Sequence, residues 1–190
     1  MRMLNMQKRN AVKLAMSGLL VAIGLIIPMF SPVKILIEPA SFTLASHVAI
    51  FIAMFISPAV AVSVAAGTTI GFLFGGFPII VVLRAATHIV FTLLGSLFIH
   101  KISKSSLSFI KLRIFSFCIA IIHAVCELVV VSVFYFSGNI SPSHVEQGFL
   151  ISVLLLVGLG TVIHSMIDFE IARIVLFPLK KQKNLAEYFA

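Results

Sequence analysis

Three pairs of polar residues sit four apart inside apolar stretches: Arg84 and His88, His123 and Glu127, His164 and Asp168. In a helix, residues four apart share one face, so each pair presents two functional groups side by side. A guanidinium forks onto a carboxylate in a way that an ammonium does not. Imidazoles beside it would hydrogen-bond a ring nitrogen or a second oxygen. The same side chains permit two other readings. Arg84 and Glu127 would form a buried ion pair that fixes helix packing. Alternatively, His88, His123, Glu127 and His164 would ligate a divalent cation, as in a metal-ion permease, although Arg84 beside His88 repels a second positive charge.

The elements that carry these pairs belong in a bilayer. Of 190 residues, 61% are hydrophobic and 11% charged, and the mean hydropathy is +1.19, which describes a polytopic membrane protein and leaves no stretch for a separate aqueous core. Ionisable groups at membrane depth are expensive and normally face a cavity or a partner. The net charge of +8 does not indicate nucleic acid, because the basic residues lie in short loops and report topology.

Pro, Gly and charge punctuation divides the chain into an all-α, six-helix bundle forming one transmembrane domain over residues 1–190, with spans at about 11–28, 43–56, 59–75, 78–100, 114–137 and 147–178. The first resembles a signal peptide at its start, but no small-x-small cleavage site precedes Pro28, and it reads as a transmembrane helix. Arg2, Lys8, Arg9, Lys13, Lys101, Lys104, Lys111, Arg113, Lys180, Lys181 and Lys183 would gather on one side and only Lys34 on the other, which predicts both termini inside. Pro78 suits a first helical turn, and Ser143-x-x-Glu146 has the form of a capping box opening the last span. The outer segment from Met29 to Phe42, with Pro32 and Pro39, suits a loop folded over the bundle. Cys118 and Cys126 lie in one apolar run without CxxC spacing and read as core filler.

Depth ranks the polar residues. Counting about 1.5 Å per helical residue from the outer end of each span, Arg84 lies about 9 Å in, His88 and Glu127 about 15 Å and His123 about 21 Å. These four can meet. His164 at about 25 Å and Asp168 at about 31 Å fall near the inner interface, where Asp168 and Glu170 would be neutralised by Arg173 or lysines, so this pair is expected to be structural. Glu38, His47, Phe77 and Tyr135, near the outer ends, are weaker candidates for solute contact, the last two by stacking. Ala11, Ala15, Gly18 and Ala22 form a strip of small side chains on the first span, suited either to packing within the bundle or to docking a second membrane subunit. There is no GxxxxGK[ST], no HExxH and no Gly-x-Ser nucleophile context, so ATP hydrolysis, catalysis and a resident cofactor or metal are not expected.

The first-helix small-xxx-small strip, the loop from Pro28 to Ile35 and the run Pro39 to Pro58 resemble the substrate-binding S-components of energy-coupling factor transporters. Gly67-Thr-Thr-Ile-Gly71 and Gly76-Phe-Pro-Ile-Ile-Val-Val-Leu-Arg84 are similar to its niacin-specific branch. The resemblance implies a six-helix vitamin-binding subunit that works with a transmembrane scaffold subunit and two ATPase subunits. It implies that Ala11, Ala15, Gly18 and Ala22 face the scaffold. It also implies that nicotinate binds near the outer side, between the first outer loop and helices four to six. Arg84, His88, His123 and Glu127 fall in that region.

Overall fold

The computed structural model describes residues 2–102, 108–182 and 184–189, with the side chains of residues 2–6 and 8 left out. Of the basic residues that set the expected orientation, Lys104 and Lys183, and the side chains of Arg2 and Lys8, therefore lie outside the described residues. The elements run α1 (Arg2–Phe30), β1 (Lys34–Ile37), β2 (Ala40–Thr43), α2 (Val48–Met54), α3 (Pro58–Phe74), α4 (Ile79–Ile102), α5 (Phe109–Phe136), α6 (Pro142–Glu146), a π-helical segment Leu150–Leu159 and its continuation α7 (Gly160–Lys181). Local chemistry explains several of the boundaries. Ser57 caps α3 by accepting from the Val60 amide at 3.3 Å, with Pro58 in the first turn, and Ser108 caps α5 in the same way from Lys111. The Pro78 carbonyl accepts from Val81 and Val82, which starts α4.

Among the described residues, four helical stretches are long and apolar enough to cross a membrane: Arg9–Phe30, Ile79–Ile102, Phe109–Phe136 and Leu150–Lys181. α3 is apolar but has 17 residues. The expected second span, 43–56, takes a different form. It begins with the last residue of β2, turns through residues 44–47 and continues as α2, whose seven residues are all buried. At about 1.5 Å per residue, α2 is about 10 Å long, a third of the hydrocarbon thickness. A run that is apolar all round suits a core helix as well as a membrane span, and here the other helices surround it.

The outer segment folds back as an antiparallel hairpin, with Lys34 opposite Thr43 and Ile37 opposite Ala40. β1 is exposed throughout, whereas Ala40 and Thr43 at the ends of β2 are buried. The all-α class stands, with one short two-stranded ribbon in the outer segment, which includes a cis Glu38–Pro39 bond. The Ser143-x-x-Glu146 capping box does not form. Ser143 sits inside the short helix α6, and Ser141, the residue at its N-cap, makes no side-chain cap bond.

α1 packs on α3 where neither backbone carries bulk. A methyl placed on Gly67 would come within 2.8 Å of Val21, one on Gly24 within 2.6 Å of Thr68, and one on Gly71 would overlap the backbone of Leu25. Ala11, Ala15, Gly18 and Ala22 all point away from the bundle, and a methyl on Gly18 would have nothing within 4 Å. The strip therefore takes no part in internal packing. Cys118 is exposed and Cys126 half-buried, so neither fills the core. In a bilayer such outward apolar side chains face lipid.

Candidate solute-binding site

Two apolar clusters hold the bundle together. One surrounds α2 (Phe51, Met54, Phe91, Phe169), and the other lies under the hairpin (Ala40, Phe72, Val81, Val131, Val157). The buried polar residues lie between them. α4 contributes Arg84 and His88, α5 contributes His123 and Glu127, α7 contributes Thr161, His164 and Asp168, and the turn after β2 contributes Ser46 and His47.

Arg84 is 3% exposed and Glu127 4%. Arg84 Nη2 donates to Glu127 Oε2 at 2.7 Å, and Nη1 donates to the Pro39 carbonyl at 2.7 Å. The guanidinium thus ties α4 to α5 and to the hairpin. Thr161 Oγ1 donates to the same Glu127 oxygen at 2.5 Å. Glu127 Oε1 instead faces His88 Nε2 at 3.4 Å and His123 Nε2 at 3.3 Å. Arg84 Nε, His88 Nδ1, Thr43 Oγ1 and both nitrogens of His123 are buried without a hydrogen-bond partner. Buried polar atoms are normally satisfied, so orphans gathered at one cavity are what a ligand site presents.

His47 stands at the centre. Its ring centroid lies 4.6 Å from that of His88, 4.8 Å from His123 and 5.0 Å from His164, all edge-on. Asp168 positions it. One carboxylate oxygen accepts from the Ala45 amide at 2.9 Å, and the other lies 3.0 Å from both the amide nitrogen and Nδ1 of His47. Ala45 adopts a left-handed φ of 67°, a conformation unfavourable for a side chain with a Cβ, and the Asp168 bonds on either side of the turn hold it there. His164 Nε2 lies 3.5 Å from Asp168 and 3.4 Å from Ser46 Oγ.

The structure brings together the four residues ranked first by depth and adds His47, His164 and Asp168. The α7 pair, expected near the inner interface, instead reaches the same cavity: His164 lines it and Asp168 holds the turn that carries His47. Asp168 is not neutralised by Arg173, which pairs with Glu170 at 2.9 Å alongside Arg113 at 3.0 Å. The depth count failed because the last long helix starts at Leu150, after the turn that follows α6, and not at residue 147. From Leu150, His164 lies as many residues in as His123 lies from Ser137. Glu38 is exposed at the hairpin tip, though the neighbouring Pro39 carbonyl holds Arg84. Phe77 stacks edge-on against Phe72 and beneath Lys34, and Tyr135 packs on Phe149, so neither lines the cavity. Phe42 and Phe72 are its aromatic walls. Phe42 approaches Gly160 so closely that a methyl there would lie 2.5 Å from its ring. That juxtaposition crosses more than a hundred residues of sequence, and no local signal announces it.

The fold is that of a helical, multi-pass membrane protein with a polar cavity beneath its hairpin. The chain is 41% identical over 172 residues to the niacin transporter NiaX of Lactococcus lactis subsp. cremoris (strain MG1363), covering 90% of this chain and 76% of that protein. It therefore belongs to the family of that transporter, and with its apolar helices it is a multi-pass protein of the bacterial cell membrane. No family model and no solved structure matches the chain.

Proposed function

We propose that this chain is the substrate-binding subunit of a vitamin uptake transporter, that it captures nicotinate from outside, and that it performs no catalysis. The observation that carries the reading is a buried guanidinium with an unpartnered Nε–H facing a chamber of imidazoles, in a chain from the family of a niacin transporter. The Nε–H and a second guanidinium proton of Arg84 clasp the carboxylate. His88 or His123, whose ring nitrogens include unpartnered ones, bonds the pyridine nitrogen, and Glu127 holds Arg84 in place. Phe42 and Phe72 flank the ring.

In the same reading the stretch 43–56, helical at α2 and enclosed by the other helices, serves as the second crossing, so six crossings form one domain and leave both termini inside. The outward strip Ala11, Ala15, Gly18 and Ala22 receives a transmembrane scaffold subunit that works with two ATPase subunits, since small residues let helices approach closely. Radiolabelled nicotinate binding to the detergent-purified protein tests the core of the proposal. Arg84→Ala abolishes binding while size-exclusion and helical signatures persist. Unchanged affinity in that variant would remove the carboxylate clasp.

A further inference from the structure

Clasping an organic anion requires a guanidinium and one or two donors, but this chamber packs four imidazoles edge to edge around two carboxylates. We infer that His47, His88 and His123 form a three-histidine site for a divalent transition-metal ion of zinc type, with the fourth tetrahedral position open, and that the ion supplies the charge to which an anionic solute binds. The second part rests on the nicotinate reading above.

The distances support the site. Zinc binds histidine nitrogen at about 2.0–2.1 Å and carboxylate oxygen at about 2.0–2.2 Å, which sets ligand-to-ligand edges of a tetrahedron at about 3.3–3.5 Å. His47 Nε2 and His88 Nε2 are 3.4 Å apart, which matches such an edge. One ring nitrogen from each of His47, His88 and His123 lies within 4.8 Å of the others. Hydrogen bonding accounts for only part of the convergence: His88 Nε2 lies within bonding distance of His47 Nε2 and Glu127 Oε1, but neither nitrogen of His123 is satisfied despite its approach to Glu127.

The supporting shell has the form that metal sites use. Asp168, itself held by the amides of Ala45 and His47, takes the Nδ1–H of His47 and so leaves a lone pair on Nε2, which faces His88 Nε2. Arg84 and Thr161 engage Oε2 of Glu127, and Oε1 stands beside His88 and His123 as a supporting acceptor outside the ligand set. His164 stays outside the set, with Nε2 directed to Asp168 and Ser46.

Charge gives the ion a role. With neutral imidazoles, one guanidinium faces two carboxylates, leaving the chamber at one net negative charge, and a carboxylate solute would make it two. A divalent ion brings the chamber to one positive charge, which a monoanion neutralises. Arg84 does not bar the ion, because Glu127 already neutralises it at 2.7 Å.

The test uses the full chain, purified without a polyhistidine tag, stripped with a chelator and titrated with Zn²⁺ and with Co²⁺. One ion per chain by elemental analysis and an intense tetrahedral Co²⁺ absorption band are expected. Asp168→Asn should weaken the site 10- to 100-fold, and His123→Gln should abolish the tetrahedral band. Because the titration of the unmodified chain is decisive alone, misfolding of a variant does not obscure the answer. No stoichiometric ion at micromolar metal, or a weak octahedral Co²⁺ spectrum, overturns the site. Nicotinate binding is then measured on stripped and zinc-loaded protein, and at least tenfold tighter binding to the loaded form is expected. Equal affinity in both forms overturns the ion's part in solute binding. A tetrahedral ion with no nicotinate binding in either form supports the metal site and refutes the nicotinate reading instead.

Discussion

Glu127 is the residue on which the chamber most depends, and its removal has a calculable consequence. Glu127→Leu keeps most of the volume but leaves Arg84, 3% exposed, with only the Pro39 carbonyl as a partner, and deprives Thr161 Oγ1 of its acceptor. Breaking a buried ion pair by removing one member costs about 3–5 kcal/mol, because the surviving charge stays buried, and an orphaned hydroxyl adds about 1–3 kcal/mol. Arg84→Met should cost a similar 3–5 kcal/mol by stranding the carboxylate. The double variant replaces the pair by apolar groups of similar size, an exchange that is often nearly neutral. It should therefore be more stable than either single variant. Unfolding of purified protein in mixed micelles of increasing SDS fraction would give the four free energies of the cycle. Single losses under about 1 kcal/mol, or additive losses within about 0.5 kcal/mol, would refute the claim that the pair holds the chamber together.

Other consequences follow from single contacts. Gly71→Val should prevent the close approach of α1 to α3, since even a methyl there overlaps the backbone of Leu25, and folded yield in membranes should fall sharply. Gly18→Leu, with nothing near its added side chain, should leave stability and nicotinate binding within error yet reduce uptake by cells in which the scaffold subunit is needed. Loss of stability in that variant would show that the strip packs internally. Gly160→Ala pushes on the ring of Phe42 and should weaken nicotinate binding while leaving helix content intact. Asp168→Ala strips the amides of Ala45 and His47 of their acceptors, at about 1–3 kcal/mol each. Faster hydrogen exchange confined to the turn at residues 44–47 is the expected readout.

Membrane character, the long helices and the polar pairs are legible in the chain because they depend on period and composition. Apolar runs must satisfy their backbone internally, and charged residues inside them need a partner wherever they fall. Arg84, His88, His123 and Glu127 could be grouped because α4 and α5 are nearly regular, so residue number measures depth. His164 and Asp168 could not, because the turn after α6 and the π-helical start of the last helix break that proportionality. His47 sits in a turn whose left-handed Ala45 and buried position follow from bonds to Asp168, 121 residues away. The hairpin is a similar case: Pro-rich composition indicates a loop, but its pairing is seen only once β2 lies against the bundle. A chain determines which side chains avoid lipid by their local chemistry. Which of them meet is decided by helix ends and crossings, where small departures from regular rise are summed over many residues.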